Sequence, residues 1–189
     1  MHHFIAKTCR SSYAHLFCLS RIRSRMDLRV SKMLCHSLIL SRLSFCNLIL
    51  TATSQYQLSR LQSVMNYAAR IVTSSPRSSN SSPLLSQLKW ICVADSIRFK
   101  IAGVIHKCLF STHPDYISNE IQRYVPTRAL RSSDDTRIII VTARTRIGNL
   151  RISVISAQVW NALPHHIRTD SDFHSFSSLL LTHLRNSHT

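Results

Sequence analysis

Between Tyr56 and Thr73, apolar residues recur every three or four positions, and this spacing constrains the fold more than any other feature of the sequence. Such a spacing gives one face of an α-helix a continuous apolar stripe. The basic residues Arg60 and Arg70 lie away from the centre of that stripe. The segment is therefore predicted to be a helix that packs through Leu58, Leu61, Met65, Ala68 and Val72.

The same helical spacing predicts most of the remaining elements. Asp27 is placed to cap a helix that runs to about Leu50, because its carboxylate can accept from the first free N–H groups. Ser82 and Pro83 are predicted as the N-cap and first residue of another helix. Other helices are predicted over 4–22, 94–110, 114–123 and 150–163, and from Asp172 onward. The helix after Asp27 is expected to bury Val30, Leu34, Leu38, Leu43 and Leu48.

One segment departs from the helical period. Ile138 to Val141 is β-branched throughout, and the alternation that follows predicts a short strand or an extended arm within 137–147. The polar run SSPRSSNSS, residues 74–82, predicts a domain or subdomain boundary. The fold class expected from the residues is mainly α with one short β element.

The charge of the chain predicts a polyanionic partner. The formal net charge is +16, and Asp27 is the one acid among the first 60 residues. An excess of this size favours nucleic acid, because Lys and Arg that neutralise phosphates release bound counterions. Such contacts hold the backbone without reading bases, and the alternative is that the arginines belong to solvated helix faces. The residues expected to contact an RNA or DNA backbone are Arg21, Arg23, Arg25, Arg29, Arg60, Arg70, Arg144 and Arg146.

Other chemistry finds little support in the sequence. Two glycines are too few for a glycine-rich phosphate loop, and six cysteines without a C-x-x-C pair favour buried apolar thiols over metal ligands. The acidic pair Asp134 and Asp135 has polar neighbours and is expected in a solvated turn. No apolar run reaches the length of a membrane span. We expect no catalytic residues, cofactor, metal, membrane partner or small-molecule substrate.

Five segments in a fixed order resemble a known family. They are SRLSFCNLIL at 41–50, QLSRLQSVMNYAARIVT at 57–73, Trp90 with SIRFKI at 96–101, YVPTRALRSSD at 124–134 and VWNALPHHIR at 159–168. Together they resemble the region after the polymerase palm in the reverse transcriptase of non-LTR (LINE-like) retrotransposons of the jockey and chicken-repeat kind. The resemblance begins near Cys9 and continues to Leu184, so that it spans nearly the whole chain.

The resemblance implies an organisation and a function. Residues 1–75 look like the helical thumb, a bundle that grips a template–primer duplex by its backbone, and residues 76–189 look like the helical segment after it. In that family the catalytic aspartates and the endonuclease belong before the equivalent of Met1. The resemblance therefore implies a fragment that is not an enzyme and that binds RNA or DNA non-specifically at most. The alternative is an interaction protein that docks a partner through exposed apolar helix faces.

The segment around Trp160 raises the question of a site. Trp160 continues the apolar face of Ile152, Ile155 and Val159, which predicts a buried anchor at the end of a helix. Asn161 is placed to satisfy backbone groups where that helix ends. Burial accounts for the tryptophan without a binding site.

Overall fold

A computed structural model describes residues 2–45, 51, 53–111, 114–124, 137–145 and 148–186. The fold is mainly helical, as the sequence predicts. Contacts between residues divide the chain into two compact units, Met1–Ile97 and Arg98–Thr189. The polar run at 74–82 lies inside the first unit, and the division of 1–75 from 76–189 stays a prediction.

The first unit is built around one central helix. This helix, α4 (Gln55–Val72), packs against the helices at His2–Ile22, Leu28–Cys35 and Ser81–Leu88. Its buried side chains include Leu61, Met65, Ala68 and Val72 of the predicted stripe. The helices of this unit are α1 (His2–Ile22), α2 (Leu28–Cys35), α3 (Ser41–Leu43), α4 (Gln55–Val72) and α5 (Ser81–Leu88). Helix α6 (Val93–Phe110) begins in this unit and continues into the second.

The helix after Asp27 is capped as predicted, but it buries a different face. The Asp27 carboxylate accepts a hydrogen bond of 2.8 Å from Val30 N. A π-helical turn, His36–Leu40, joins α2 to α3, and the predicted end near Leu50 lies outside the described residues. The prediction that Val30 and Leu38 point inward is wrong, since both are exposed. Leu43 is buried as predicted, and the other buried residues are Ser31, Cys35 and Ile39.

The π turn explains this choice of face. Buried residues four apart drift by about 40° per step around an α-helix, because one turn takes 3.6 residues. A π turn holds more residues than an α turn and offsets this drift, so Ile39 and Leu43 stay on the side of Cys35. Small Ser31 and Cys35 at the start of the face are completely buried.

The start of α5 differs from the prediction by two residues. Its N-cap is Asn80, whose Oδ1 accepts from Ser82 N at 3.1 Å, so Ser82 and Pro83 already lie inside the helix. Asparagine is as good an N-cap as serine, and here its side chain reaches the second free N–H group of the helix.

The second unit packs its helices around a mainly aliphatic core that also contains two buried aromatic residues. Trp160 and Phe176 are completely buried, and their ring centroids lie 5.7 Å apart. Besides the second part of α6, the unit contains α7 (Asp115–Ser118), α8 (Ile152–Asn161), α9 (His165–Arg168) and α10 (Phe173–Asn186), with a short 3-10 turn at Gly148–Leu150. The side chain of Asp172 accepts from Ser175 N at 2.7 Å and caps α10.

The expected β element is reduced to a single bridge within the described part of the chain. Arg123 and Ile138 form an isolated antiparallel bridge, and residues 137–143 are extended or irregular. Asn161 completes the pairing, because its side-chain amide donates to Ile138 O at 2.9 Å and accepts from Ile138 N at 3.0 Å. Asn161 thus satisfies backbone groups, but those of the extended segment and not those of its own helix.

Candidate nucleic-acid interface

Three of the eight predicted arginines lie exposed in the connection between α1 and α2. Arg21 belongs to the last turn of α1, Arg25 ends a 3-10 turn, and Arg29 lies in the first turn of α2. All three side chains are exposed. The guanidinium of Arg21 lies 5.0 Å from the centroid of the Phe17 ring, a cation–π contact that holds it at the surface. The connection therefore presents three cations within nine residues.

Arg23 lies among these arginines but has a different role. Its Nη2 and Nε donate to Val72 O at 2.8 and 3.0 Å, its Nε also to Ile71 O at 3.2 Å, and its Nη1 to Met26 O at 2.7 Å. The last carbonyls of a helix lack partners within that helix, and a cation there is stabilised by the helix dipole. Arg23 therefore caps the C-terminus of α4, and its guanidinium is half-buried and already bonded.

Arg60 and Arg70, the two predicted arginines on α4, are also half-buried. Arg70 Nε donates to Ser79 O at 3.0 Å and fixes the polar connection that follows α4. Arg60 Nη1 lies 3.4 Å from Gln57 Oε1, and its charge acts on Cys9 and Tyr13 of α1. These contacts stabilise the first unit. Arg60 and Arg70 are therefore not counted with the exposed arginines of the connection between α1 and α2.

Of the two predicted arginines in the second unit, Arg144 is exposed and lies in a bend. Arg146 lies outside the described residues, as do Asp134 and Asp135. The solvated turn predicted for the acidic pair therefore stays a prediction.

The structure also exposes basic residues that were not among the eight arginines predicted to contact nucleic acid. Lys7 and Arg10 are exposed on α1, on the same side as Arg21, because positions 7, 10, 14, 17 and 21 follow the helical period. Arg42, near the end of α3, is exposed as well. The helical spacing of cations along residues 4–22 was the signal that could have identified Lys7 and Arg10.

The acids of the first unit do little to offset these cations. Residues 1–97 contain twelve Lys and Arg and two acids, Asp27 and Asp95. The Asp27 carboxylate is engaged in capping α2, and Asp95 is completely buried, where its Oδ2 accepts a hydrogen bond of 3.0 Å from Cys92 Sγ. The exposed surface of this unit is therefore strongly positive, as phosphate binding requires.

Three of the five cysteines that the structure describes are apolar core residues. Cys9, Cys35 and Cys108 are buried free thiols, and Cys18 is exposed. Burial raises the pKa of the Cys35 thiol to about 12, and burial with the hydrogen bond to Asp95 raises that of Cys92 to about 11. Thiols with raised pKa values are poor nucleophiles at neutral pH. Among the residues that the structure describes, no group of three or more Cys, His, Asp or Glu is arranged to hold a metal ion.

Trp160 is buried as predicted and lies at the end of α8. Its neighbours in the core include the rings of Phe176 and His106. This burial leaves the tryptophan no surface with which to bind a ligand.

Within the described residues, the structure contains no helix with both the length and the apolar character needed to cross a membrane. No family model matches the chain, and no curated protein or solved structure is similar to it at a significant level.

Proposed function

We propose that the chain derives from the thumb and post-thumb region of a LINE-like reverse transcriptase and binds RNA or DNA backbones non-specifically, without polymerase activity. The observation that carries the binding proposal is the exposed group Arg21, Arg25 and Arg29 on a unit whose two acids are engaged elsewhere. The family origin rests on the five ordered sequence segments.

The geometry favours contacts to phosphates over contacts to bases. The three arginines follow one another along a short connection, and each presents a long side chain to solvent. Cations arranged in this way can reach successive phosphates, whereas base readout requires an element that enters a groove. Binding should therefore depend little on sequence and strongly on salt.

A salt titration of the intact protein tests this interface. Affinity for a duplex, measured by fluorescence anisotropy, should fall steeply with salt, and the slope of log K against log salt should decrease by about one for each of Arg21→Gln, Arg25→Gln and Arg29→Gln. Arg23→Gln is the matched control, since it removes the same charge from a bonded guanidinium. It should lower stability and leave the slope unchanged.

Two results would contradict the proposal. A salt response that is flat for the wild-type protein would exclude phosphate binding. If Arg23→Gln changed the slope as much as Arg25→Gln, binding would follow net charge alone and the interface would be wrong. Primer extension in the presence of Mg²⁺ should give no incorporation, and robust synthesis would disprove the absence of polymerase activity.

A second candidate function is the docking of a protein partner. The first unit exposes several large apolar side chains, among them Phe17, Leu28, Met33 and Phe45. Exposed apolar surface of this kind is typical of a protein interface. Salt separates the two functions, because apolar association persists at salt concentrations that release a nucleic acid.

A further inference from the structure

An open cleft lies in the first unit, between α1 and the end of α3. It is lined by Phe4, Lys7, Thr8, Ser11, Arg42 and Phe45, none of which belongs to the predicted arginine set. Its volume of about 290 Å³ is near the lower end of the range for ligand pockets. The cleft therefore has room for a single nucleotide-sized group and not for a large ligand.

The sequence places these residues together through two local features. Phe4, Lys7 and Ser11 are three and four residues apart, so they share one face of α1. On the other side, the π turn His36–Leu40 shifts the register of all the residues after it. With Leu43 buried, Arg42 reaches α1, and its Nη1 donates a hydrogen bond to Ser11 Oγ.

Two aromatic rings form the apolar part of the cleft. The centroids of Phe4 and Phe45 lie 6.5 Å apart with an angle of 41° between the ring planes. Phe4 is 39% exposed and Phe45 is 63% exposed, so the pair still presents ring surface to solvent. A flat π system can cover that surface. Nucleobases stack on aromatic side chains in this way, with little dependence on which base is bound.

The polar part of the cleft is cationic. Lys7 and Arg42 lie on either side, and no carboxylate is among the lining residues. Arg42 gives one N–H to Ser11, and a guanidinium carries five such donors. Ring surface beside two cations complements a base attached to a phosphate. A purely apolar ligand would leave both charges without a partner.

We infer that this cleft binds one unpaired nucleotide of a single-stranded RNA or DNA, with the base against Phe4 and Phe45 and the phosphate beside Lys7 and Arg42. The inference rests on the proposed nucleic-acid binding and adds its substrate class. The nucleotide has to be unpaired, because a paired base inside a duplex is already stacked on both faces. The protein should therefore prefer a strand with unpaired nucleotides to a fully paired duplex of equal charge.

The test uses the intact protein and a single-stranded oligonucleotide of about ten nucleotides, within the length that one small domain covers. The oligonucleotide carries 2-aminopurine, whose fluorescence falls when the base stacks. Wild-type protein should quench this fluorescence on binding. Phe45→Leu should remove most of the quenching and weaken single-strand affinity about tenfold, while it leaves affinity for a blunt duplex unchanged.

Tyr56→Leu is the matched control. Tyr56 is an exposed aromatic residue at the start of α4, 68% exposed, and it does not line the cleft. Tyr56→Leu should leave both the quenching and the affinity unchanged. Lys7→Gln should reduce the salt slope of single-strand binding by about 0.7, as the loss of one phosphate contact on a single strand requires. Both leucine substitutions are at exposed positions, and circular dichroism checks that the helices remain.

The outcomes separate the two proposals. Single-strand binding in which Phe45→Leu behaves like Tyr56→Leu would overturn the cleft and leave the proposed backbone binding in place. Fluorescence quenching that is as strong with Phe45→Leu as with the wild-type protein would also overturn the cleft and leave the proposed backbone binding in place. If the wild-type protein bound neither the single strand nor the duplex, both proposals would be wrong.

Discussion

His106 is an ionisable residue in the core of the second unit. It is 1% exposed, and its ring centroid lies 4.3 Å from that of Phe176 and 4.6 Å from that of Phe110. Its Nε2 lies 2.8 Å from Asp170 O. A carbonyl oxygen can only accept, so Nε2 carries a proton, while Nδ1 is buried and has no hydrogen-bond partner within the part of the chain that the structure describes. A second proton on Nδ1 would place an unpaired charge in the core, so burial favours the neutral form.

This environment predicts a dependence of stability on pH. Burial lowers the pKa of His106, and the hydrogen bond to the Asp170 carbonyl with the charges of Asp170 and Asp172 offsets part of that effect. Because the folded pKa lies below the unfolded value of about 6.5, the stabilisation is present above that pH. It should be lost as pH falls towards the folded pKa, by at most about 1.4 kcal/mol per pH unit.

Urea unfolding at several pH values measures this effect. His106→Phe provides the comparison, because it keeps a ring against Phe176 and cannot take up a proton. The variant should lose less stability than the wild-type protein between neutral and mildly acidic pH. Equal losses would mean that other groups cause the acid sensitivity.

For two further residues, Arg23 and Asn161, the hydrogen-bond partners could not be predicted from the sequence. Arg21, Arg23, Arg25 and Arg29 look alike in the sequence. Arg23 differs from the others mainly through its bonds to the carbonyls of Ile71 and Val72, which are 48 and 49 positions away. Asn161 was predicted to satisfy backbone groups at the end of its own helix, but its amide bonds instead to Ile138, 23 positions away. Contacts between distant positions depend on the packing of whole elements, which periodicity does not specify.

Among the elements, helix existence was predicted more reliably than helix orientation. The apolar stripe of α4 and the cap at Asp27 were correct because each depends on neighbouring residues alone. The face that the helix after Asp27 buries was predicted correctly at Leu43 and wrongly at Val30 and Leu38. That face contains Ser31 and Cys35, which an apolar pattern passes over, and it continues through a π turn that 3.6-residue counting does not include.

The two glycines of the chain give a prediction about elements. Gly103 lies inside α6, where an added Cβ would be 3.7 Å from Phe173 Cε2, an ordinary contact distance. Gly103→Ala should therefore raise the free energy of unfolding by about 0.5–1 kcal/mol, because alanine loses less conformational entropy in a helix. Gly148→Ala should lower it by about 1 kcal/mol or more, because its Cβ would lie 2.8 Å from Ala143 Cβ.

Both glycines belong to the second unit, so urea unfolding of the two variants measures the stability of the same unit. A stabilising Gly148→Ala would show that the connection before α8 is not packed as the structure has it. A destabilising Gly103→Ala would show the same for the contact between α6 and α10.

For the whole molecule, the uneven distribution of charge is the dominant feature. The first unit contains half of the 24 Lys and Arg but two of the eight acids. Repulsion among exposed cations opposes the compact state, and a bound polyanion would remove it. The same surface that is proposed to bind phosphates thus lowers the stability of the unbound protein.

The stability of the free protein should therefore increase with moderate salt. Raising the salt concentration from about 0.01 M to about 0.1 M shortens the screening length from about 30 Å to about 10 Å. Each close pair of like charges that is screened should contribute about 0.3 kcal/mol. The urea midpoint, measured at both concentrations, should rise. A fall would mean that attractive ion contacts outweigh the repulsion.

For the whole molecule, the sequence predicted the fold class correctly, because the fold class reflects the helical spacing of apolar residues in many segments. The sign of the net charge follows directly from the counts of basic and acidic residues. The sequence did not predict the cleft between Phe4 and Phe45, because those residues are 41 positions apart and meet only through the packing of α1 on α3. The approach of Arg42 to the cleft was missed for the same reason.

The order of synthesis determines when Arg23 can cap α4. A ribosome makes Arg23 and both helices that flank it well before Val72, whose carbonyl the guanidinium binds. When the end of α4 leaves the exit tunnel, its cap and the faces of α1 and α2 that it packs against are already outside. The first three helices and α4 can therefore assemble while the second half of the chain is still being translated.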